Sequence, residues 1–281
     1  MHLLDLESLS SQQIIELFQL ARHLSSQKPA QLLKDKTFIR FFPESSLRTR
    51  ITFEKGIQDF GGKYMLFPPE TLDKREQSSD VIHYLENWAD GVVARHSSFT
   101  KLVELSAQSS IPIINAMTAR NHPCEILSDL YSISQIRENY RELTYTFVGP
   151  ASNISRTWHE MAKVMNLSFN HVCSAGNELG PDTNNYTYLT NLEDVLPESD
   201  IILTDSLPGE FNNDEYLNLY QITLDRMKRI RPGALLNPCP PFYRNEEVSS
   251  EVIDSPYFAG FQFKKNLLYM HQAVILYCLS N

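Results

Sequence analysis

Short apolar runs alternate with amphipathic helical stretches along almost the whole chain, and this alternation limits the fold more than any other feature. Lys36–Phe42, Lys63–Phe67, Gly91–Arg95 and Ile111–Asn115 read as strands in the first half. Thr144–Val148, Ile201–Thr204 and Ala234–Asn237 read as strands in the second. Between them apolar residues recur at helical spacing. Phe53, Ile57 and Phe60 form one stripe, stopped by Gly61-Gly62. Val81, Leu85 and Trp88 form another behind a Ser78 or Ser79 cap, and Ile126, Leu130 and Ile133 a third. Further helices are predicted over Leu102–Ala107, Ser155–Met165, Glu246–Ile253 and Asn266–Leu279. Strand–helix alternation of this kind gives mainly parallel sheets covered on both faces. The 281 residues suffice for two such units of about 140 residues each. The expected fold is α/β: two doubly wound parallel-sheet domains with the active site in the interdomain cleft. The charged stretch Gln135–Leu143 places the boundary. Residues 1–137 make the first domain and 138–265 the second, while the helix 266–281 packs back on the first. Such folds bind ligands at the carboxyl ends of their strands.

Charge and composition narrow the partners. Lys plus Arg number 25 and Asp plus Glu 34, a net charge of −9. Phosphate backbones and anionic membranes select basic faces, so neither nucleic acid nor a membrane is expected as the main partner. The longest apolar run, Ala273–Leu279, falls well short of the roughly 20 residues of a membrane span. The opening MHLLDLESLS has neither a basic nor an apolar leader segment, so a cytoplasmic protein is expected. Cys124, Cys173, Cys239 and Cys278 form no CxxC pair and read as reduced thiols. The histidines show no HxxxH or HxxH spacing, so no metal is expected.

The most informative segment is RFFPESSLRTRITFEKGIQDFGG, Arg40 to Gly62. A strand ends near Phe42, and Ser45, Ser46, Arg48, Thr49 and Arg50 fall where the next helix opens. The first turn of a helix leaves backbone N–H groups unpaired and favours an anion. Hydroxyls and a guanidinium added there make a phosphate cradle. A cap followed by two solvated arginines would give the same string.

SLRTR followed by ITFEKG resembles the carbamoyl phosphate signature of the aspartate/ornithine carbamoyltransferase family, usually STRTR-x-SFE, with Leu47 in place of the middle threonine. Four more segments resemble that family in its order. GVVARHSS places Arg95 at a strand end, like the family's MRH or VRH. HPCEILSDLYSI, from His122, is similar to HPCQ-x-L-x-DLYTI. FVGPASNISRTWHEMAK places Arg156 on a helix opening the second domain. NPCPPFYRNEEVSSEVID resembles the HCLP or HPLP region.

The resemblance implies a cytoplasmic carbamoyltransferase of amino-acid metabolism. The carbamoyl group of carbamoyl phosphate would pass to an amine, with phosphate released and no cofactor. Ser46, Leu47, Arg48 and Thr49 would hold phosphate, with Arg95 bridging phosphate and carbonyl oxygen. His122 would donate to that oxygen together with Thr49, and Glu125 would lie beside the carbamoyl group. The catalytic set implied is Arg48, Thr49, Arg95 and His122. Arg156, Asp205, Ser206, Cys239 and Pro240 would face the acceptor. Lys74 or Arg75, in TLDKREQSSD, would be lent to a neighbouring subunit of a homotrimer or a multiple of trimers.

Departures from the pattern bear on the substrate. Glu125 stands where the family has glutamine, and at about 5 Å its charge would oppose phosphate by about 3 kcal/mol at an effective dielectric of 20. Three outcomes are open: Glu125 is protonated, it is paired to an arginine such as Arg95, or the donor site is altered. Asn237 replaces the histidine of HCLP. Thr204-Asp205-Ser206 resembles the TDTW of ornithine members, but LPGEF replaces their SMG, and Leu267 follows Asn266 where they have ENR. Asp205 favours an ornithine-like acceptor. The alternatives are an aspartate-type enzyme or a non-catalytic homologue with a regulatory or assembly role. A nucleotide-binding oxidoreductase fits poorly, because no G-x-G-x-x-G follows any strand.

Overall fold

The computed structural model describes residues 1–26 and 30–281. The chain divides into two compact units, Met1–Ile133 with Lys264–Asn281, and Ser134–Phe263.

The first unit opens with α1 (Ser11–Ser26), followed by β1 (Thr37–Phe41), α2 (Arg48–Asp59), β2 (Lys63–Phe67), α3 (Ser78–Leu85), β3 (Gly91–Arg95), α4 (Phe99–Ala107), β4 (Ile113–Met117) and α5 (Pro123–Ile136). The four strands pair in the order β2-β1-β3-β4, all parallel. Ile39 and Phe41 pack with Ile82 of α3 and Leu102 and Leu105 of α4 on one face. Arg40 alternates with them and so points to the other face, where its Nη1 donates to Arg50 O and its Nη2 to Glu54 of α2. The chain passes from β1 through α2 to β2 on one side, then to β3 on the other side of β1. The switch point, where open α/β sheets leave a crevice, therefore lies between the ends of β1 and β3.

The second unit contains β5 (Thr144–Val148), α6 (Asn153–Met165), β6 (Ser168–Val172), β7 (Tyr186–Leu189), β8 (Ile201–Thr204), α7 (Asp214–Tyr220), α8 (Leu224–Met227), β9 (Leu235–Pro238) and α9 (Ser250–Ile253). Its sheet runs β7-β6-β5-β8-β9, again parallel throughout, with its switch point between β5 and β8. Val148, Val172, Ile202 and Leu236 of the strands are buried with Tyr216, Tyr220 and Val252 of the helices. The last helix, α10 (Asn266–Ser280), belongs to the first unit and packs on α1 and α2.

Several elements differ from the sequence expectation. The strand expected at Ile111–Asn115 lies at Ile113–Met117, because Pro112 has no N–H for the ladder and the pairing with β3 runs on to Met117. α3 begins at Ser78 with Gln77 in the cap position, and no side chain caps it. The helix expected over Glu246–Ile253 begins only at Ser250. Glu247 O and Ser249 N are taken by Ile222, and Asn245 N by Val248 O, so this stretch is a bridge and a turn before Ser249 caps the helix.

Candidate functional site

Three parallel strands of the first unit deliver the residues expected at the donor site. The turn after β1 carries Ser46 and Leu47 into α2, β3 ends on Arg95, and the loop after β4 carries His122 into α5. β3 lies between β1 and β4, so adjacent strand ends supply all three segments. Ser46 and Thr49 are buried, whereas Leu47 and Arg48 are exposed at the helix start. Arg95 Nη1 donates to Ser46 Oγ at 3.2 Å, which joins two segments 49 residues apart. α2 has Leu47 in its cap position and no side-chain cap. Its first amides therefore offer donors to an anion rather than to a capping oxygen.

His122 is buried just ahead of Pro123 at the start of α5. Burial lowers its pKa to about 4; Glu125 pulls it up, while Arg95 and Lys264 push it down. The imidazole is neutral at pH 7 and acts as a hydrogen-bond donor or acceptor, not as a cation. The charge coupling also brings the third segment into electrostatic reach of Arg95.

Glu125 has a different partner from the arginine considered from sequence. Lys264, just before α10, places Nζ 2.9 Å from Glu125 Oε1 and 2.6 Å from Asp129 Oδ1. Both carboxylates are buried, one turn apart on α5. Burial raises the Glu125 pKa, but the pull of Lys264, aided by His122, wins, and the carboxyl is held below its ordinary range. Its place in the first turn of α5 also suits a carboxylate. Of the outcomes left open by sequence, the structure thus has Glu125 ionised and paired, to Lys264 rather than Arg95.

Lys74 and Arg75 are exposed, directly after a short 3₁₀ turn at Pro69–Asp73. His96, the residue after Arg95, ties that turn down. Its Nδ1 accepts the Ser98 N–H at 3.0 Å, which leaves Nε2 to donate to Asp73 Oδ1 at 3.0 Å.

The acceptor set falls in the second unit. Asp205 and Ser206 follow β8, and Cys239 and Pro240 follow β9. Thr204 pairs with Pro238, so these pairs leave neighbouring strand ends. The Cys239 N–H donates to Thr204 O at 2.9 Å, and the Ser206 N–H to Asp205 Oδ1 at 2.9 Å. Arg156 is exposed on the first turns of α6, the helix that follows β5. Asp205 and the β5–α6 turn therefore flank this unit's switch point.

Sequence reasoning missed two groups. Lys264 was invisible as a partner because 139 residues separate it from Glu125; its trace is the Lys264-Lys265 pair before a helix and the acidic i, i+4 pair on an otherwise uncharged one. Glu247 is buried near Asp205, accepts the Tyr243 N–H at 2.7 Å through Oε1, and leaves Oε2 without a hydrogen-bond partner. Burial raises its pKa to about 7, with Glu246 and Asp205 adding to the rise. All four cysteines are buried thiols. Among the described residues no cluster of His, Cys, Asp or Glu is placed to hold a metal ion, and no helix is long and apolar enough to cross a membrane.

Two parallel α/β units, one with a hydroxyl- and guanidinium-lined helix start at its switch point, define an α/β protein with a helix start suited to a small anion. The model of the aspartate/ornithine carbamoyltransferase carbamoyl-P binding domain matches residues 1–135, and that of the Asp/Orn binding domain matches residues 141–278. The chain belongs to the aspartate/ornithine carbamoyltransferase family, a family of transferases. It is 27% identical over 296 residues to an ornithine carbamoyltransferase of Methylobacillus flagellatus, covering 99% of this chain and 97% of that one. It is 28% identical to that of Geobacter sulfurreducens, covering 98% and 97%. Among solved structures, the ornithine carbamoyltransferase of Burkholderia thailandensis superposes with a TM-score of 0.90 at 23% identity, covering 99% and 98%. That of Gloeobacter violaceus superposes with a TM-score of 0.84 at 25% identity, covering 99% and 98%.

Proposed function

We propose that this protein moves the carbamoyl group of carbamoyl phosphate to the amine of an ornithine-like acceptor and releases phosphate. The observation that carries the reading is the convergence of Ser46, Arg95 and a neutral His122 at the ends of three adjacent strands, beside an uncapped helix start. Ser46, Arg48, Thr49 and the first amides of α2, beginning at Leu47, hold the phosphate. Arg95 reaches phosphate and carbonyl oxygen together. The neutral acceptor nitrogen attacks the carbamoyl carbon, and the carbonyl electron pair moves onto oxygen. His122 and Thr49 donate to that oxyanion. Its collapse breaks the C–O bond to phosphate, and the departing phosphate takes the proton that the attacking nitrogen loses. Donors fixed where charge develops supply the largest catalytic share, and joint holding of donor and acceptor adds an orientation advantage.

The acceptor is assigned to Asp205, Ser206, Cys239, Pro240 and Arg156. The carboxylate of Asp205 supports an acceptor with a second amino group, and the ornithine carbamoyltransferases among the relatives support the same choice. A homotrimer, or a multiple of trimers, with Lys74 or Arg75 lent between subunits, is supported by apolar side chains left in solvent on α2 and the edge strand β2, among them Ile51, Met65 and Phe67. Buried thiols support a reducing cytoplasmic setting.

Phosphate release from carbamoyl phosphate, measured with ornithine, acylated ornithines, diamines, aspartate and β-alanine, tests the reading. Turnover with a basic acceptor is expected. Turnover with aspartate alone would move the protein to the aspartate type, and carbamoyl phosphate binding without turnover would make it a regulatory homologue.

A further inference from the structure

Glu125 puts a charge where the family's HPCQ pattern has a neutral amide, and the structure answers it with another. The carboxylate is buried in the first turn of α5. Leu267 is buried where ornithine-type members place an arginine, so α10 contributes no cation at that position. Lys264, three residues earlier, supplies one. Its ammonium touches one oxygen of Glu125 and one of Asp129, and its side chain is 19% exposed. A cation shared by two buried carboxylates fixes the rotamer of both, since each has little room to turn without losing its counter-charge.

We propose that Lys264 is a positioning residue of the donor site: it takes Oε1 of Glu125 so that Oε2 is aimed to accept from the carbamoyl NH2 of the substrate. The Glu125–Lys264 pair does together what the neutral amide of the HPCQ pattern would do. The inference rests on the carbamoyl-transfer reading. It also explains how a carboxylate coexists with a phosphate site, because the ammonium offsets the repulsion that Glu125 would otherwise exert.

Removing the ammonium has a signed consequence. Glu125 faces Lys264, His122, Asp129 and, from α10, His271, while Arg95 faces His122. His122 and His271 stay neutral above pH 6, because burial lowers their pKa values to about 4 and about 3. Without Lys264, burial alone pushes the Glu125 carboxyl upward. The carboxyl is then protonated at acid pH, where it does not repel phosphate. It ionises as pH rises, where it does.

The test is titration of phosphonoacetamide, with inorganic phosphate as the control lacking an NH2 group. The proteins are the native chain, Lys264→Met, Lys264→Arg and the double variant Glu125→Gln with Lys264→Met, from pH 6 to 8.5. Each affinity is taken relative to the native chain at the same pH, and KM and kcat for carbamoyl phosphate are measured alongside. Lys264→Met is expected to weaken phosphonoacetamide by about tenfold or more at pH 8 and less at pH 6. Lys264→Arg should stay within a few-fold of native, and the double variant should regain most of the loss by restoring a neutral pair. KM should carry more of the change than kcat. If Lys264→Met does not fold, the double variant and Lys264→Arg still decide: the first losing binding, or the second behaving as native only for inorganic phosphate, overturns the assignment. A native-like Lys264→Met at every pH overturns it too, and leaves the carbamoyl-transfer reading intact. A native chain that binds neither probe overturns both.

Discussion

In the proposed reaction His122 serves as a hydrogen-bond donor that does not titrate in the working range. Its pKa of about 4 leaves the imidazole neutral from pH 6 upward, so its contribution to turnover should be flat there. His122→Ala should lower kcat by about 10²–10³, the usual cost of one oxyanion donor, while inorganic phosphate binding stays nearly intact. An unchanged kcat would remove His122 from the chemistry. Glu247 behaves in the opposite way. Its folded-state pKa of about 7 stands above the ordinary 4.5, so the folded chain holds this proton to higher pH than the unfolded chain. Stability therefore falls as pH rises from about 4.5 through 7, by about 1–3 kcal/mol. Glu247→Gln removes that loss, and the variant should be more stable than the native chain at pH 8 and close to it at pH 5, as read from urea midpoints. Equal midpoints at pH 8 would place the proton elsewhere. Placement was the most legible part of the candidate site: Ser46, Arg95 and His122 lie just beyond or at the ends of β1, β3 and β4, where the strings that carry them put them. The partner of Glu125 was not, because the contact closes over 139 residues and periodicity carries no information across such a gap.

At the level of elements, the two helix starts that serve the chain are built differently. α6 carries a full capping box: Ser152 Oγ accepts from the Ile154 and Ser155 N–H groups, and Ser155 Oγ accepts from the Ser152 N–H at 2.8 Å. Its amides are already used. α2 has no such cap, which leaves its first amides without a side-chain acceptor. Ser152→Ala should cost about 1 kcal/mol of stability, with fraying confined to the first turns of α6, where Arg156 sits. Chemical denaturation and amide exchange at residues 153–157 would measure it, and a loss below about 0.3 kcal/mol would show that packing alone holds the turn. β3 and β8, with the apolar runs Val92–Ala94 and Ile201–Leu203, were readable because buried parallel strands are apolar on both faces, and β1 and β5 because Arg40 and Thr146 are the lone polar interruptions inside theirs. β6 and β7 were not: SFNHV and YTYL carry His171, Asn170 and Tyr186. His171 is nonetheless fully buried, its Nε2 2.8 Å from Gly149 O, and polar residues satisfied this way do not register as strand. α1 went unread, although Ile14, Leu17, Phe18, Ala21 and Leu24 form its buried stripe.

At the level of the whole molecule, the two units differ in how the chain builds them. The second is a single continuous segment, Ser134–Phe263, while the first is closed by a return of the chain at Lys264–Asn281. That return is structural. α10 buries Leu267, Met270, Val274, Ile275 and Cys278. His271 stacks on Phe53 of α2 with ring centres 3.7 Å apart, and the N-terminal ammonium donates to Cys278 O at 2.8 Å. At about 1.5–3 kcal/mol for each fully buried Leu, Met, Val or Ile side chain, these four together come to about 6–12 kcal/mol. Whole-domain stability is itself only about 5–15 kcal/mol. A fragment of residues 1–133 should therefore lack a cooperative melt, whereas 134–263 should fold alone with one. Supplying residues 264–281 as a peptide to the first fragment should restore order and, with it, the Lys264 ammonium between Glu125 and Asp129. A cooperative transition from residues 1–133 without the peptide would show that β1–β4 with α1 to α5 already make a complete core. α10 would then be held in place for the sake of Lys264 rather than for the fold.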